Sequence, residues 1–96
     1  LDGTQSTSSS LSTDQRSEIH TRVKEHQRSQ QRIDKQVTKL DKEKSEILAY
    51  FFENPTDYAP AKATRLAELN TLLDDLEKDW LNDQEGIDQL RDELDG

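Results

Sequence analysis

A row of basic residues in the first half of the chain is the set of side chains best suited to binding a ligand. Its members follow one another at intervals of four and three residues: Arg28, Arg32, Lys35, Lys39 and Lys42. Lys24 extends the row toward the N-terminus. Side chains at this spacing share one face of a helix, and no acidic residue interrupts that face between Arg28 and Lys42. Such a row suits salt-dependent contact with the phosphates of DNA or RNA.

An ordinary solvated helix surface, stabilised by ion pairs one turn apart, is the alternative interpretation of the same row. No aromatic side chains alternate with the cations, so the sequence does not indicate stacking on bases or recognition of a base sequence. The predicted contacts are therefore to the nucleic-acid backbone. The predicted nucleic-acid-binding residues are Lys24, Arg28, Arg32, Lys35, Lys39 and Lys42.

No arrangement of residues predicts catalysis or metal binding. The chain lacks a glycine-rich phosphate loop, a nucleophile elbow and an HExxH motif. His20 and His26 are six positions apart, whereas two metal ligands on one helix face would be four apart. Acidic pairs such as Asp74 and Asp75 fall on an exposed helix without the cleft that acid–base catalysis needs. We therefore expect no enzymatic activity, no metal site and no cofactor.

Composition restricts the fold that can carry these residues. The chain has 96 residues, of which 29% are hydrophobic and 35% are charged, and this excludes a thick globular core. Disorder and a helical assembly with a narrow apolar seam both fit. The net charge of −8 is unevenly divided. Residues 12–53 hold nine basic and eight acidic side chains, whereas residues 54–96 hold four and twelve.

The same composition bears on location. No window approaches the roughly 18 apolar residues of a membrane span, so we expect no membrane association. The absence of cysteine agrees with a reducing compartment, and we expect a cytoplasmic protein. Because the chain begins at Leu1 rather than Met, we also expect it to be part of a longer polypeptide.

Two heptad patterns resolve the choice between disorder and helix. Alternating intervals of four and three residues, typical of a coiled coil, run through both halves of the chain. The first string is Ile19, Val23, His26, Gln30, Ile33, Val37, Leu40, Lys44, Ile47 and Phe51. The second string is Lys62, Leu66, Leu69, Leu73, Leu76, Trp80, Asp83, Ile87, Leu90 and Leu94. Most positions in both strings are apolar, which predicts two helices that each present a narrow seam.

The two strings fit each other if the chain folds back on itself. Position numbers that sum to 113 then pair every residue of one string with a residue of the other, from Phe51 with Lys62 to Ile19 with Leu94. The polar residues Gln30 and Asp83 fall opposite one another. We therefore predict an all-α fold, a two-helix antiparallel coiled-coil hairpin, and expect it to be a monomer.

The boundaries follow from local signals. Residues 1–11 are rich in Ser and Thr and predict a flexible, disordered tether. The hairpin occupies residues 12–96, with helices at about 12–53 and 59–94. Ser12 and Gln15 form a capping box at the start, and Asp57 is the predicted cap of the second helix. A tip cluster is expected from four aromatic residues: Tyr50, Phe51, Phe52 and Tyr58.

The order of these features resembles the C-terminal domain of ABC-F ATPases of the Uup type. Residues 11–16, which follow a Ser/Thr-rich tether, resemble the start of that domain. Residues 51–58 resemble its turn, in which a Pro is followed by a Tyr. Residues 66–80 are similar to its returning helix, including the position of Trp80. The resemblance covers about residues 11–94.

This resemblance implies a non-catalytic tail of a cytoplasmic ATPase whose two ATPase cassettes lie upstream in the same chain. It also implies an accessory domain that binds DNA, and ribosomal RNA is a further expected partner because related proteins act on ribosomes. The residues that would carry this function here are the basic row from Lys24 to Lys42. A structural coiled coil that mediates protein–protein contact or dimerisation remains the alternative, favoured by the apolar residues Leu72 and Leu81 outside the seam.

Overall fold

Two long helices account for nearly all of the chain that the computed structural model describes, which is residues 11–95. Helix α1 spans Thr13–Glu53 and helix α2 spans Pro60–Asp95. No strand occurs within the described range. The predicted limits of 12–53 and 59–94 therefore differ from the observed ones by at most one residue. The predicted tether, except for Leu11, lies outside the described residues.

Local signals set the ends of the helices. The Gln15 amide donates to Ser12 Oγ at 3.1 Å and the Ser12 amide donates to Gln15 Oε1 at 2.8 Å, which confirms the capping box. Helix α2 begins at Pro60, a residue well suited to a first helical position because it has no amide hydrogen to satisfy. The predicted cap at Asp57 is wrong, because α2 starts three residues later and Asp57 accepts a hydrogen bond from the Tyr50 hydroxyl instead.

The described residues form two compact units, each built from a part of both helices. The first, called the terminal unit here, contains residues 11–31 and 80–95, and the second, the turn unit, contains Arg32–Asp79. Contacts between the helices join low numbers in α1 to high numbers in α2 within each unit, as in Glu43 with Arg65 and His26 with Asp83. The all-α antiparallel helical hairpin predicted from the heptads is therefore confirmed.

The terminal unit is held by a small apolar core. Four of its residues are buried and in contact with one another: Ile19, Val23, Ile87 and Leu90. Leu11 and Leu94 pack against this cluster and are half-buried. Burial of each large aliphatic side chain contributes on the order of 1.5 to 3 kcal/mol. Leu11 thus belongs to the packed part of the chain, although the sequence assigns it to the tether.

Polar side chains complete the seam of the terminal unit. The buried Gln30 donates from its amide to Gln84 Oε1 at 3.0 Å and to the Trp80 carbonyl at 3.4 Å. His26 Nδ1 lies 2.8 Å from Asp83 Oδ1, a distance at which the ring N–H donates to the carboxylate. The summation of position numbers places Gln30 opposite Asp83, whereas these hydrogen bonds run diagonally to neighbouring residues. Buried polar groups of this kind are tolerated because they are hydrogen-bonded.

Gly86 provides the space for the His26 ring. A Cβ atom added at residue 86 would lie 2.8 Å from His26 Nε2 and 3.0 Å from His26 Cε1. These distances are too short for a side chain to be added without displacing the imidazole. The glycine costs about 1 kcal/mol of helix propensity relative to alanine, and close packing of His26 explains its place within α2.

The turn unit has a more exposed seam. Ile33, Ile47 and Leu69 are buried, with Leu69 fully so, whereas the other apolar seam positions of this unit are half-buried. Lys62 is the one predicted seam residue that is exposed. Its ammonium group lies 4.6 Å from the centroid of the Tyr50 ring, a cation–π contact that keeps the charge near water. The seam prediction is therefore wrong at Lys62, which lies in the first turn of α2.

Candidate nucleic-acid interface

All six residues of the predicted basic row are exposed side chains of α1. Lys24 and Arg28 belong to the terminal unit, and the other four belong to the turn unit. Within the turn unit, Arg32, Lys35, Lys39 and Lys42 are spaced so that they occupy one side of α1. Buried Ile33 and Ile47 lie at seam positions of the same helix. The cations therefore lie outside the buried seam, as the heptad positions predict.

None of these six cations forms an ion pair within residues 11–95. Two other basic residues of the described chain do have acidic partners: Arg22 lies 3.6 Å from Glu18, and Arg65 contacts Glu43 and Glu68. The difference matters for ligand binding, because an unpaired surface cation can bind an external anion without first breaking an internal contact. The six cations of the row are thus available to bind an external anion.

A pair that the sequence prediction missed accounts for part of this availability. Glu43 lies four residues after Lys39, a spacing that favours an ion pair on one helix face. Instead, Arg65 of α2 holds both Glu43 oxygens, with Nε at 2.6 Å from Oε2 and Nη2 at 3.0 Å from Oε1. Glu43 and Arg65 flank the seam at equivalent heptad positions. The antiparallel pairing of the two strings therefore already indicates that these two side chains can meet.

The two-pronged contact shifts the pKa of both partners. The hydrogen bond from Arg65 lowers the pKa of the Glu43 carboxyl below its ordinary value of 4.5, against a smaller opposing effect of burial. The hydrogen bond to Glu43 likewise raises the pKa of the Arg65 guanidinium. Their side chains remain 38% and 40% exposed, so the pair is a partly solvated one. Glu43 is nevertheless ionised and directed toward α2, away from Lys39.

An apolar groove lies beside the cations in the turn unit. It has a volume of about 330 Å³ and is lined by five residues: Gln36, Lys39, Leu40, Leu72 and Leu76. Leu72 is 41% exposed, although it is a large aliphatic residue. Only Lys39 belongs both to the basic row and to this groove. The sequence indicated Leu72 as apolar surface outside the seam, but not the groove.

The predicted aromatic tip cluster is only partly present. Tyr50 and Phe51 contact edge to face, with ring centroids 5.8 Å apart. Phe52 is 87% exposed and Tyr58 is 85% exposed, so neither contributes to a packed tip. The prediction is wrong for these two residues. Phe52 follows the seam position Phe51 by one residue, which directs its side chain away from α2, and Tyr58 lies in the connection between the helices.

Among residues 11–95, no group of three His, Cys, Asp or Glu side chains is arranged to hold a metal ion. Neither α1 nor α2, as far as they are described, has a stretch long and apolar enough to cross a membrane. The sequence matches no protein-family model, and no curated protein or solved structure matches it significantly.

Proposed function

We propose that this hairpin is an accessory nucleic-acid-binding segment that contacts phosphates independently of base sequence through the outer side of α1. The observation that carries the proposal is the row of exposed cations without ion pairs from Lys24 to Lys42. Lys and Arg side chains that neutralise phosphates release counterions from the nucleic acid, and this release supplies most of the sequence-independent binding energy.

The likeness to the tail domain of Uup-type ABC-F ATPases supports this proposal, since that domain is implicated in DNA binding. On this hypothesis the chain acts with ATPase cassettes upstream in the same cytoplasmic polypeptide, and either DNA or ribosomal RNA is the ligand. The segment itself performs no catalysis. Its contribution would be to add phosphate contacts that help the ATPase bind its target.

Charge distribution limits how the nucleic acid can approach. Residues 54–96 carry twelve acidic and four basic side chains, and α2 exposes Asp74, Asp75 and Glu77 in the turn unit. Phosphates would be repelled from this side, so binding is expected from the α1 side only. Because the chain has a net charge of −8, affinity should be modest at physiological salt and stronger at low salt.

A salt titration of binding to short duplex DNA and to structured RNA tests the proposal. The informative variant is Arg28→Gln/Lys35→Gln/Lys42→Gln, which removes three cations without touching the groove. If the three contact phosphates, the plot of log K against log salt for DNA should lose about 0.9 in slope for each contact removed. Binding by the unaltered chain should also fall steeply as salt rises.

The matched control removes three other exposed cations, Arg22→Gln/Lys78→Gln/Arg91→Gln, and changes net charge by the same amount. We expect this control to retain most of the slope. Equal losses of slope in the two variants would show that net charge alone explains the effect, and would reject the row as an interface. Absence of binding to either nucleic acid at low salt would reject the proposed function.

Protein contact is the second candidate function, and exposed apolar residues favour it. Leu48, Leu72 and Leu81 are 47%, 41% and 53% exposed, and such surface commonly marks a site of association when it is contiguous. A hairpin that fails to bind nucleic acid but associates with a protein through these residues would be a structural coiled coil.

A further inference from the structure

The groove of the turn unit has rims of opposite charge. On the α1 side, Lys39 lines the groove and Arg32 lies two turns before it, both exposed. On the α2 side, Asp75 and Asp79 follow Leu72 by three and seven residues, which places them on the same face as that leucine; both are exposed. The apolar floor of leucines therefore separates a basic edge from an acidic edge.

This arrangement is complementary to itself. If a second hairpin faces the first and is related to it by a two-fold axis parallel to the helices, α1 of each copy lies over α2 of the other. Because Lys39 lines the same groove as Leu72 and Leu76, it is level with the stretch of α2 between them, which includes Asp75. The axis preserves this height, so Lys39 of each copy meets Asp75 of the other.

We propose that the groove is a self-association site, at which two copies of this chain pair groove to groove as a four-helix assembly. The leucine floors bury each other, and Leu72 gains most because 41% of it is exposed in the single chain. The charged edges form two equivalent sets of contacts, as an interface with two-fold symmetry requires. The choice of a second copy rests on this charge complementarity, since both matching edges belong to the same chain.

Self-association is compatible with the proposed phosphate contacts but does not depend on them. Arg28, Lys35 and Lys42 point most directly away from the seam, so they stay accessible in the paired form. This inference differs from the sequence prediction of a monomer. The pairing of positions that sum to 113 accounts for the seam, but it does not reveal the groove. Association should be weak, since each copy carries a net charge of −8.

Sedimentation of the whole chain over roughly 10 µM to 1 mM at physiological salt, where long-range repulsion is screened beyond about 8 Å, tests the proposal. The mass should rise with concentration from 11.1 kDa toward twice that value. Lys39→Glu and Asp75→Lys should each weaken association about tenfold or more, because each brings like charges together across the interface. Both residues are exposed and neither lies in the core, and unchanged helicity by circular dichroism verifies the fold.

Mixing the two variants gives the decisive result. In a pair formed by one Lys39→Glu chain and one Asp75→Lys chain, both sets of edges again carry opposite charges. An equimolar mixture should therefore associate more tightly than either variant alone. Lys35→Glu, which makes the same charge change outside the groove, should leave association unaltered.

Three outcomes would overturn the inference. The unaltered chain could remain a monomer throughout the range, or the mixture could fail to associate. Association could also persist in Leu72→Lys, which would indicate exchange of helices through the seam or binding through another surface. None of these results would alter the nucleic-acid titration with Arg28→Gln/Lys35→Gln/Lys42→Gln, so the two proposals fail separately.

Discussion

The terminal unit and the turn unit use the same heptad spacing but distribute burial differently. In the terminal unit, Ile19, Val23, Ile87 and Leu90 form one buried cluster. The turn unit combines the fully buried Leu69 with seam leucines that are only half-buried, and it has a groove beside Leu72.

The two units also place their polar contacts differently. Those of the terminal unit lie in the seam, where His26 contacts Asp83. The main ion pair of the turn unit, Arg65 with Glu43, lies at the side of the seam and is partly solvated. The comparison shows that one repeat can be packed in two ways: the terminal unit buries an apolar cluster and hydrogen-bonds its polar seam residues, whereas the turn unit leaves more of its apolar seam half-buried.

The largest effect is expected from removing the main anchor of the turn unit. Leu69→Ala should lower the free energy of unfolding by about 2 to 4 kcal/mol, because Leu69 is fully buried and the substitution leaves a cavity. Urea unfolding followed by circular dichroism measures the change. Leu81→Ala, at a position 53% exposed, is the control and should change the stability by less than about 0.5 kcal/mol.

Fluorescence of Trp80, followed in the same urea unfolding, tests whether the terminal unit and the turn unit unfold separately. Trp80 belongs to the terminal unit, whereas Leu69 belongs to the turn unit. If Leu69→Ala lowers the midpoint seen by circular dichroism and leaves that of Trp80 fluorescence unchanged, the two units unfold separately. Coincident shifts would show that they unfold as one cooperative structure.

A smaller effect, with an unusual sign, is expected in the terminal unit. Gly86→Ala in a helix interior ordinarily stabilises by about 1 kcal/mol. Here the added Cβ would lie 2.8 Å from His26 Nε2, so the imidazole must move and its hydrogen bond to Asp83 is lost. We expect a net destabilisation of about 1 kcal/mol, since a lost hydrogen bond to a charged group costs about 1.5 to 3 kcal/mol.

The double variant His26→Ala/Gly86→Ala separates the two contributions. With the ring removed, Gly86→Ala should regain its stabilising sign relative to His26→Ala alone. A stabilising Gly86→Ala in the unaltered chain would mean that the imidazole relaxes without cost. Such a result would remove His26 and Asp83 from the features that distinguish the terminal unit.

The smallest effect concerns pH and the turn unit. The pKa of Glu43 is lowered in the folded chain by its hydrogen bond with Arg65. A lowered folded-state pKa contributes stability above the ordinary value of 4.5, and the contribution is lost as pH falls through the folded-state pKa. In Glu43→Gln, the free energy of unfolding should therefore fall less steeply as the pH is lowered from neutral, as measured by urea unfolding. Glu18→Gln, at the exposed Arg22 pair, should change that slope less.

Heptad spacing alone was sufficient to predict the helices and their antiparallel pairing, because burial of a narrow apolar seam dominates a chain of this composition. Every predicted seam position except Lys62 is buried or half-buried. Lys62 is not buried because its long side chain reaches the Tyr50 ring at the end of the seam. The exposed basic row was also predictable, since it follows from the same spacing.

Contacts between side chains were less predictable. The summation of positions defines layers, whereas His26 bonds to Asp83 of the neighbouring layer and Gln30 bonds to Gln84, which is outside the seam positions. The prediction of an aromatic tip cluster is partly wrong for a different reason. Hydrophobicity predicts a cluster, but Phe52 points away from α2 and Tyr58 lies in the connection between the helices, and both remain exposed. The groove depends on side-chain volumes that spacing does not specify.

The space that Gly86 leaves for His26 has a consequence for slippage between the helices. A heptad seam can in principle slide by seven residues and still match apolar positions, so the register needs another determinant. One heptad before and after Gly86, the equivalent positions of α2 are Asp79 and Glu93. A shift of one heptad in either direction would bring a longer side chain to the place of the glycine, where the His26 ring lies. Gly86 thus acts as a register marker that admits one alignment and penalises its nearest alternatives.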